Sequence, residues 1–150
     1  MTVKLVKPIN FLFYRTCTTV QELEQYLPIG QKILKEAVAN GLPVTGPVHW
    51  HYYNFKGDAD APFDLEVAIP LGVLPADYDG EFHIKRTQDF RSISAIHEGD
   101  WLALPQTYEK LMAYAATKQL KINGNNREIY VNVDFADPSG NVTEVQLGVE

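Results

Sequence analysis

The chain has 150 residues, 45% hydrophobic and 21% charged, the balance of one globular domain with a core of its own. Its net charge of −6 argues against a phosphate-reading surface, because nucleic-acid binders displace counterions with a basic face. The single cysteine, Cys17, excludes an intramolecular disulfide and a cysteine metal cluster. No apolar run approaches 18 residues and no signal-peptide pattern is present. The expectation is a cytoplasmic protein without membrane contact, direct nucleic-acid contact, metal or cofactor.

Val3 to Arg15 alternates and is rich in Ile, Phe and Tyr, which predicts a strand. Thr19 and Glu22 have the spacing of a capping box. Leu23, Leu27, Ile33, Leu34, Ala37 and Val38 recur at helical spacing. Pro28 and Gly30 interrupt them, so a kink or two shorter helices are expected. Asn40-Gly41 supplies the stop. His49–Phe55 and Phe63–Leu71 predict a hairpin around Gly57-Asp58. Alternation puts Phe63, Leu65, Val67 and Ile69 on one face, with Asp64, Glu66 and Ala68 on the other. Residues 73–80 read as a polar connector. Phe82 to Ile96 predicts a second long strand. Pro105 suits a first helical position, with Tyr108, Leu111, Met112 and Ala115 on one stripe. Asn123-Gly124 is expected to close that helix or the turn after it. Arg127–Phe135 and Thr143–Val149 predict a second hairpin around Pro138-Ser-Gly140.

The two hairpins resemble each other. Residues 48–71 and 126–149 each carry an aromatic-rich alternating segment, a polar turn, and a second segment containing Glu-Val. Glu66 and Glu144 lie 78 positions apart, and Phe55 and Phe135 lie 80 apart. One domain with pseudo-repeats of roughly 1–72 and 81–150 is expected. The fold class is α+β. Tandem strand–helix–strand–strand modules would form a mainly antiparallel eight-stranded sheet with two helices on one face.

If the helices cover one sheet face, alternation assigns Ile129, Val131, Val133 and Phe135 to the core. The other face then receives Trp50, Tyr52, Tyr130, Glu66, Glu144 and Gln146, together with Glu128. Acids among aromatic rings suit a lipophilic cation, through charge pairing and cation–π contact. The competing assignment is a plain solvated face. His49 and His51 share a strand face, but two histidines make an incomplete metal set. They are expected to pack or hydrogen-bond. His97 is expected to shape the turn before Trp101, Lys85-Arg86 to be solvated, and Cys17 to be a small buried side chain. There is no phosphate loop or nucleophile elbow.

These motifs, taken in order, resemble the GyrI-like small-molecule-binding domain, the effector-binding domain of AraC- and MerR-type regulators. The resemblance spans nearly the whole chain. It rests on Gly46-Pro47, Glu66-Val-Ala-Ile-Pro70-Leu71, His97-Glu-Gly99-Asp-Trp101, Tyr108-Glu-Lys-Leu111, Asn123-Gly124, Arg127-Glu128-Ile-Tyr130 and Thr143-Glu144-Val-Gln146-Leu. It implies a pocket between the modules, with aromatic walls and a central glutamate that motif matching places at Glu144. Trp50, Tyr52, Trp101 and Tyr130 would be the walls and Glu66 a second acid. Trp101 stands where many members have tyrosine, and Gly148 where proline is common.

The implied activity is stand-alone binding of lipophilic, cationic or amphipathic small molecules, with a regulatory protein partner compatible with it. An alternative is hydrolysis of small strained electrophiles with Glu144 as general base. Another is protein interaction of the gyrase-inhibitor type. Binding is favoured over catalysis, because an ordinary binding pocket needs the same residues.

Overall fold

The structure is a computed structural model that describes residues 1–150. Eight strands form one sheet: β1 (Thr2–Val6), β2 (Asn10–Thr18), β3 (His49–Tyr53), β4 (Phe63–Leu71), β5 (His83–Arg86), β6 (Phe90–Glu98), β7 (Ile122–Asn132) and β8 (Val142–Val149). The helices are α1 (Ile29–Ala39) and α2 (Leu104–Thr117). The class is the expected one, α+β with an antiparallel sheet.

Each expected long strand is broken in two. Pro8, which has no N–H for a sheet ladder, separates β1 from β2. Thr87 to Asp89 separate β5 from β6. The two breaks meet: the Ile9 amide donates to Thr87 Oγ1 at 2.9 Å, and the Thr87 amide donates to the Ile9 carbonyl at 2.9 Å. Past the breaks the repeats exchange strands. β1 pairs with β6, and β5 pairs with β2. The order β1-β6-β8-β7-β3-β4-β2-β5 therefore reads as two equivalent four-stranded units joined between β7 and β3. Each unit contains one strand lent by the other repeat.

α1 packs on β2 and β4, and α2 packs on β6 and β8. Residues directly opposite one another in a sheet share a face. Tyr14, Val67, Trp50, Glu128, Val145 and Ala95 form one such row across six strands. Val67 packs in a cluster with Ile33 and Ala37 of α1, and Val145 in one with Leu111 and Ala115 of α2. Both helices therefore cover this face, and each buries its own core.

The element ends follow from local chemistry. α1 ends in a Schellman motif, with Gly41 at φ +66 donating to the Val38 carbonyl at 3.1 Å and Leu42 to the Ala37 carbonyl at 2.9 Å. Pro28 splits the expected helix into a 3-10 segment, Val20–Tyr26, and α1. The capping box does not form: Thr19 makes no side-chain cap, and Thr18 Oγ1 contacts Glu22 instead at 3.4 Å. Nor does Asn123-Gly124 close α2. That helix ends at Thr117, and just beyond it Gln119, at φ +56, donates to the Ala116 carbonyl at 3.2 Å and Leu120 to the Ala115 carbonyl at 2.8 Å. Gly124 lies in an irregular stretch of β7, where its carbonyl accepts from the Phe55 amide at 2.9 Å.

Candidate functional site

The helices pack mainly on the outer strands, and the central β3–β7 pair lies between them. Aromatic side chains fill that seam. β3 contributes Trp50 and Tyr52, β7 contributes Glu128 and Tyr130, α2 contributes Tyr108, and the 3-10 turn Trp101–Ala103 contributes Trp101. Asp100 caps that turn by accepting from the Leu102 amide at 3.0 Å. His97 braces it, as expected, with Nε2 2.9 Å from the Asp100 carbonyl and Nδ1 2.8 Å from Thr107 Oγ1.

Glu128 is the centre of the seam. Its side chain receives three tyrosine hydroxyls: Tyr52 donates to Oε1 at 3.1 Å, Tyr130 to Oε1 at 2.7 Å, and Tyr108 to Oε2 at 2.6 Å. The residue is only 5% exposed and belongs to none of the chain's ion pairs. Burial raises its pKa above the usual carboxylate value, while the three tyrosine bonds pull the other way. Burial and then the Glu128 charge hold all three tyrosines well above their ordinary value, so they remain donors.

The walls are edge-to-face aromatic pairs. Trp50 and Tyr130 have centroids 5.9 Å apart at 87°, and Trp101 and Tyr130 are 5.4 Å apart at 61°. Trp101 Nε1 donates to Thr143 Oγ1 at 3.2 Å, which fixes the indole. At the rim Phe135 is 74% exposed and lies 6.1 Å from Trp101, and Leu102 is 88% exposed.

The structure divides the residues that alternation had grouped on one face. Trp50, Tyr52, Trp101 and Tyr130 gather around Glu128 on the helix side. Glu66, Glu144 and Gln146 lie on the opposite side of the sheet. Register is the reason. Trp50 stands opposite Val67 on β4 and opposite Glu128 on β7, and Glu128 stands opposite Val145, so Glu66 and Glu144 are each one residue out of phase. The assignment of Val131, Val133 and Phe135 to the core is also corrected, since all three are exposed near the end of β7 or beyond it.

On the far face Glu66 and Glu144 hold the exchanged strands. Lys85 of β5 bonds to Glu66 Oε1, and Arg15 Nη1 donates to Oε2 at 2.7 Å. Lys4 of β1 donates to Glu144 Oε2 at 2.7 Å, joined by Ser94 at 3.1 Å and Gln146 at 2.6 Å. Burial acts to raise the Glu144 carboxyl, but the bonds from Lys4, Gln146 and Ser94 outweigh it and leave the group below its usual range. Lys85 is thus an ion-pair partner rather than a solvated residue. His49 and His51 are buried with Nδ1 and Nε2 3.2 Å apart. Cys17, expected inside, is exposed, because it sits on the outer face of β2 beyond Arg15.

No protein-family profile and no curated protein sequence matches the chain. Solved structures do resemble it. EcmrR in its complex with DNA aligns over 99% of this chain with a TM-score of 0.80 at 21% identity, and the chain spans 56% of its length. The isolated EcmrR C-terminal domain aligns over 99% of this chain and 96% of its own, with a TM-score of 0.79 at 20% identity. The chain therefore shares the fold of the EcmrR C-terminal domain. SAV2435, solved bound to tetraphenylphosphonium, aligns over 99% of this chain and 93% of its own, with a TM-score of 0.67 at 14% identity. A hydrolase encoded by lin2189 of Listeria innocua aligns over 99% and 91%, with a TM-score of 0.66 at 17% identity. No helix is long and apolar enough to cross a membrane.

Proposed function

We propose that this chain binds a lipophilic cation in the seam between its helices, with Glu128 as the charged anchor. One observation carries the reading: Glu128 is buried, is held by three neutral donors, and has no cation of its own. A buried carboxylate without a counter-charge is costly. A ligand cation would supply the missing charge, and Trp50, Trp101 and Tyr130 would offer ring faces and apolar surface to it. The rings pack on one another, so a ligand would enter by displacing rim groups. Trp101 and Tyr130 are only partly buried, and Phe135 and Leu102 are open to solvent beside them. That SAV2435 is seen with tetraphenylphosphonium supports the choice of probe.

The same carboxylate supports a second reading. Its raised pKa would suit a general base acting on water, with a tyrosine hydroxyl placed to protonate a leaving group. Such chemistry would run through Glu128 rather than Glu144, whose carboxyl is held low by Lys4 and lies across the sheet. Three hydrogen bonds already occupy Glu128, which favours binding over turnover.

The test is a calorimetric titration with tetraphenylphosphonium. Saturable one-site binding that a neutral tetraphenyl compound does not match is the expected result. Equal affinity for both would remove the role of the charge.

A further inference from the structure

The face turned away from the helices carries a second polar site, built on Arg127. We propose that it binds a small molecule through an oxyanion, either a carboxylate or a phosphate group.

Arg127 stands in a cross-strand row with His51 on β3 and Gln146 on β8. It is only 7% exposed, yet it belongs to no ion pair and its guanidinium donates no hydrogen bond. The group stacks on Phe90, 4.1 Å from the ring centroid. Arg127 Nη1 is buried without a partner, and so are His51 Nδ1, Gln146 Oε1 and Ser92 Oγ. Buried polar atoms are normally satisfied, and two of these, on Arg127 and His51, belong to residues that line one cleft, which points to an occupant there.

Space for one lies beside the guanidinium. A cleft of about 320 Å³ is lined by His51, Tyr53, Lys85, Thr87, Phe90 and Arg127, among others. That is the lower end of the range for small-molecule sites. The amides of Gln88 and Asp89 on its wall donate to no other group of the chain. Arg86, which makes no ion pair, adds positive charge. The one acid of the lining, Asp89, makes no ion pair with Arg127. A guanidinium fork with free N–H groups matches the two oxygens of a carboxylate or phosphate.

The two repeats differ on this face. In the first repeat Phe11 lies opposite Pro70 and covers the rings of His49 and His51, each at 5.0 Å. The equivalent pair in the second repeat is Ser92 opposite Gly148. There Phe90 stacks on Arg127 in place of such a cover. The chain would thus present sites of opposite charge preference on opposite faces of one sheet.

The test is an NMR titration of the protein with sodium phosphate and, separately, sodium succinate. Sodium chloride at matched ionic strength is the reference. Saturable shifts of the Arg127 Nε–Hε signal and of the Gln88, Asp89 and Asn125 amides are expected with at least one of the two anions, and the Trp101 indole should not move. Arg127→Met should weaken binding about tenfold or more, by loss of the charge-assisted bonds. If that variant does not fold, Arg127→Lys keeps the charge, loses the fork, and should also bind more weakly. Absence of saturation beyond chloride with both anions would overturn the proposal, and so would unchanged affinity in the folded variant.

Discussion

Glu66 and Glu144 occupy equivalent positions in the two repeats, and each accepts a bond from a lysine that the other repeat lends. Lys85 reaches Glu66, and Lys4 reaches Glu144. The duplicated glutamates therefore tie each lent strand to the repeat that receives it, away from the aromatic seam.

The two clamps should contribute unequally. Glu66 is 1% exposed and serves Arg15, Lys85 and Tyr53 at once, whereas Glu144 and Lys4 are partly open to water. Glu66→Gln removes one charge from a buried cluster and should cost about 3 kcal/mol. Glu144→Gln should cost about 1 kcal/mol or less. Urea unfolding of both variants measures the difference, and equal losses would contradict the clamp asymmetry.

Stability should fall with acid through the histidine pair. Burial first, and then the Arg127 charge, lowers His49 to about 4 and His51 well below its ordinary value. The unfolded chain then binds more protons than the folded one as pH drops below about 6.5. His49 alone would remove about 3 kcal/mol between there and pH 4, at 1.36 kcal/mol per pKa unit. Glu128, with its pKa raised by burial, acts in the opposite sense. A His49→Gln/His51→Gln variant should flatten the profile of urea midpoint against pH. A profile unchanged by that substitution would assign the acid loss to other groups.

Catalysis is expected to be absent. Epoxides and activated esters incubated with the protein should be recovered at the uncatalysed rate. Hydrolysis that disappears in Glu128→Gln and persists in Glu144→Gln would promote the enzyme reading.

Cys17 should react at once in the native protein. One equivalent of a disulfide reagent per chain is expected without denaturant, since the thiol is exposed. A delay until unfolding would contradict its placement.

Much of the fold was legible, because alternation and turn chemistry act locally. Phe63, Leu65, Val67 and Ile69 are buried together as alternation requires, and Gly41 ends α1 where Asn40-Gly41 suggested. The strand exchange was not legible, since no local signal shows where the chain goes beyond Pro8 or Asp89. The central carboxylate was within reach. Glu128 and Tyr130 share parity in β7, and both had been grouped with Trp50 and Tyr52. The misleading signal was the duplicated Glu-Val, whose symmetry reflects the strand exchange. Alternation also loses its meaning where both faces of a strand are buried, as for His49–Tyr52 in β3.

The central claim is that Glu128, and not Glu144, anchors a cation. The chain's two tryptophans, Trp50 and Trp101, both line the seam, so their fluorescence reports on it directly. The decisive measurement is fluorescence titration of wild type, Glu128→Gln and Glu144→Gln with tetraphenylphosphonium. Wild type and Glu144→Gln should saturate alike, while Glu128→Gln should bind about 1–3 kcal/mol more weakly. Loss of binding in Glu144→Gln with Glu128→Gln unaffected would contradict the account.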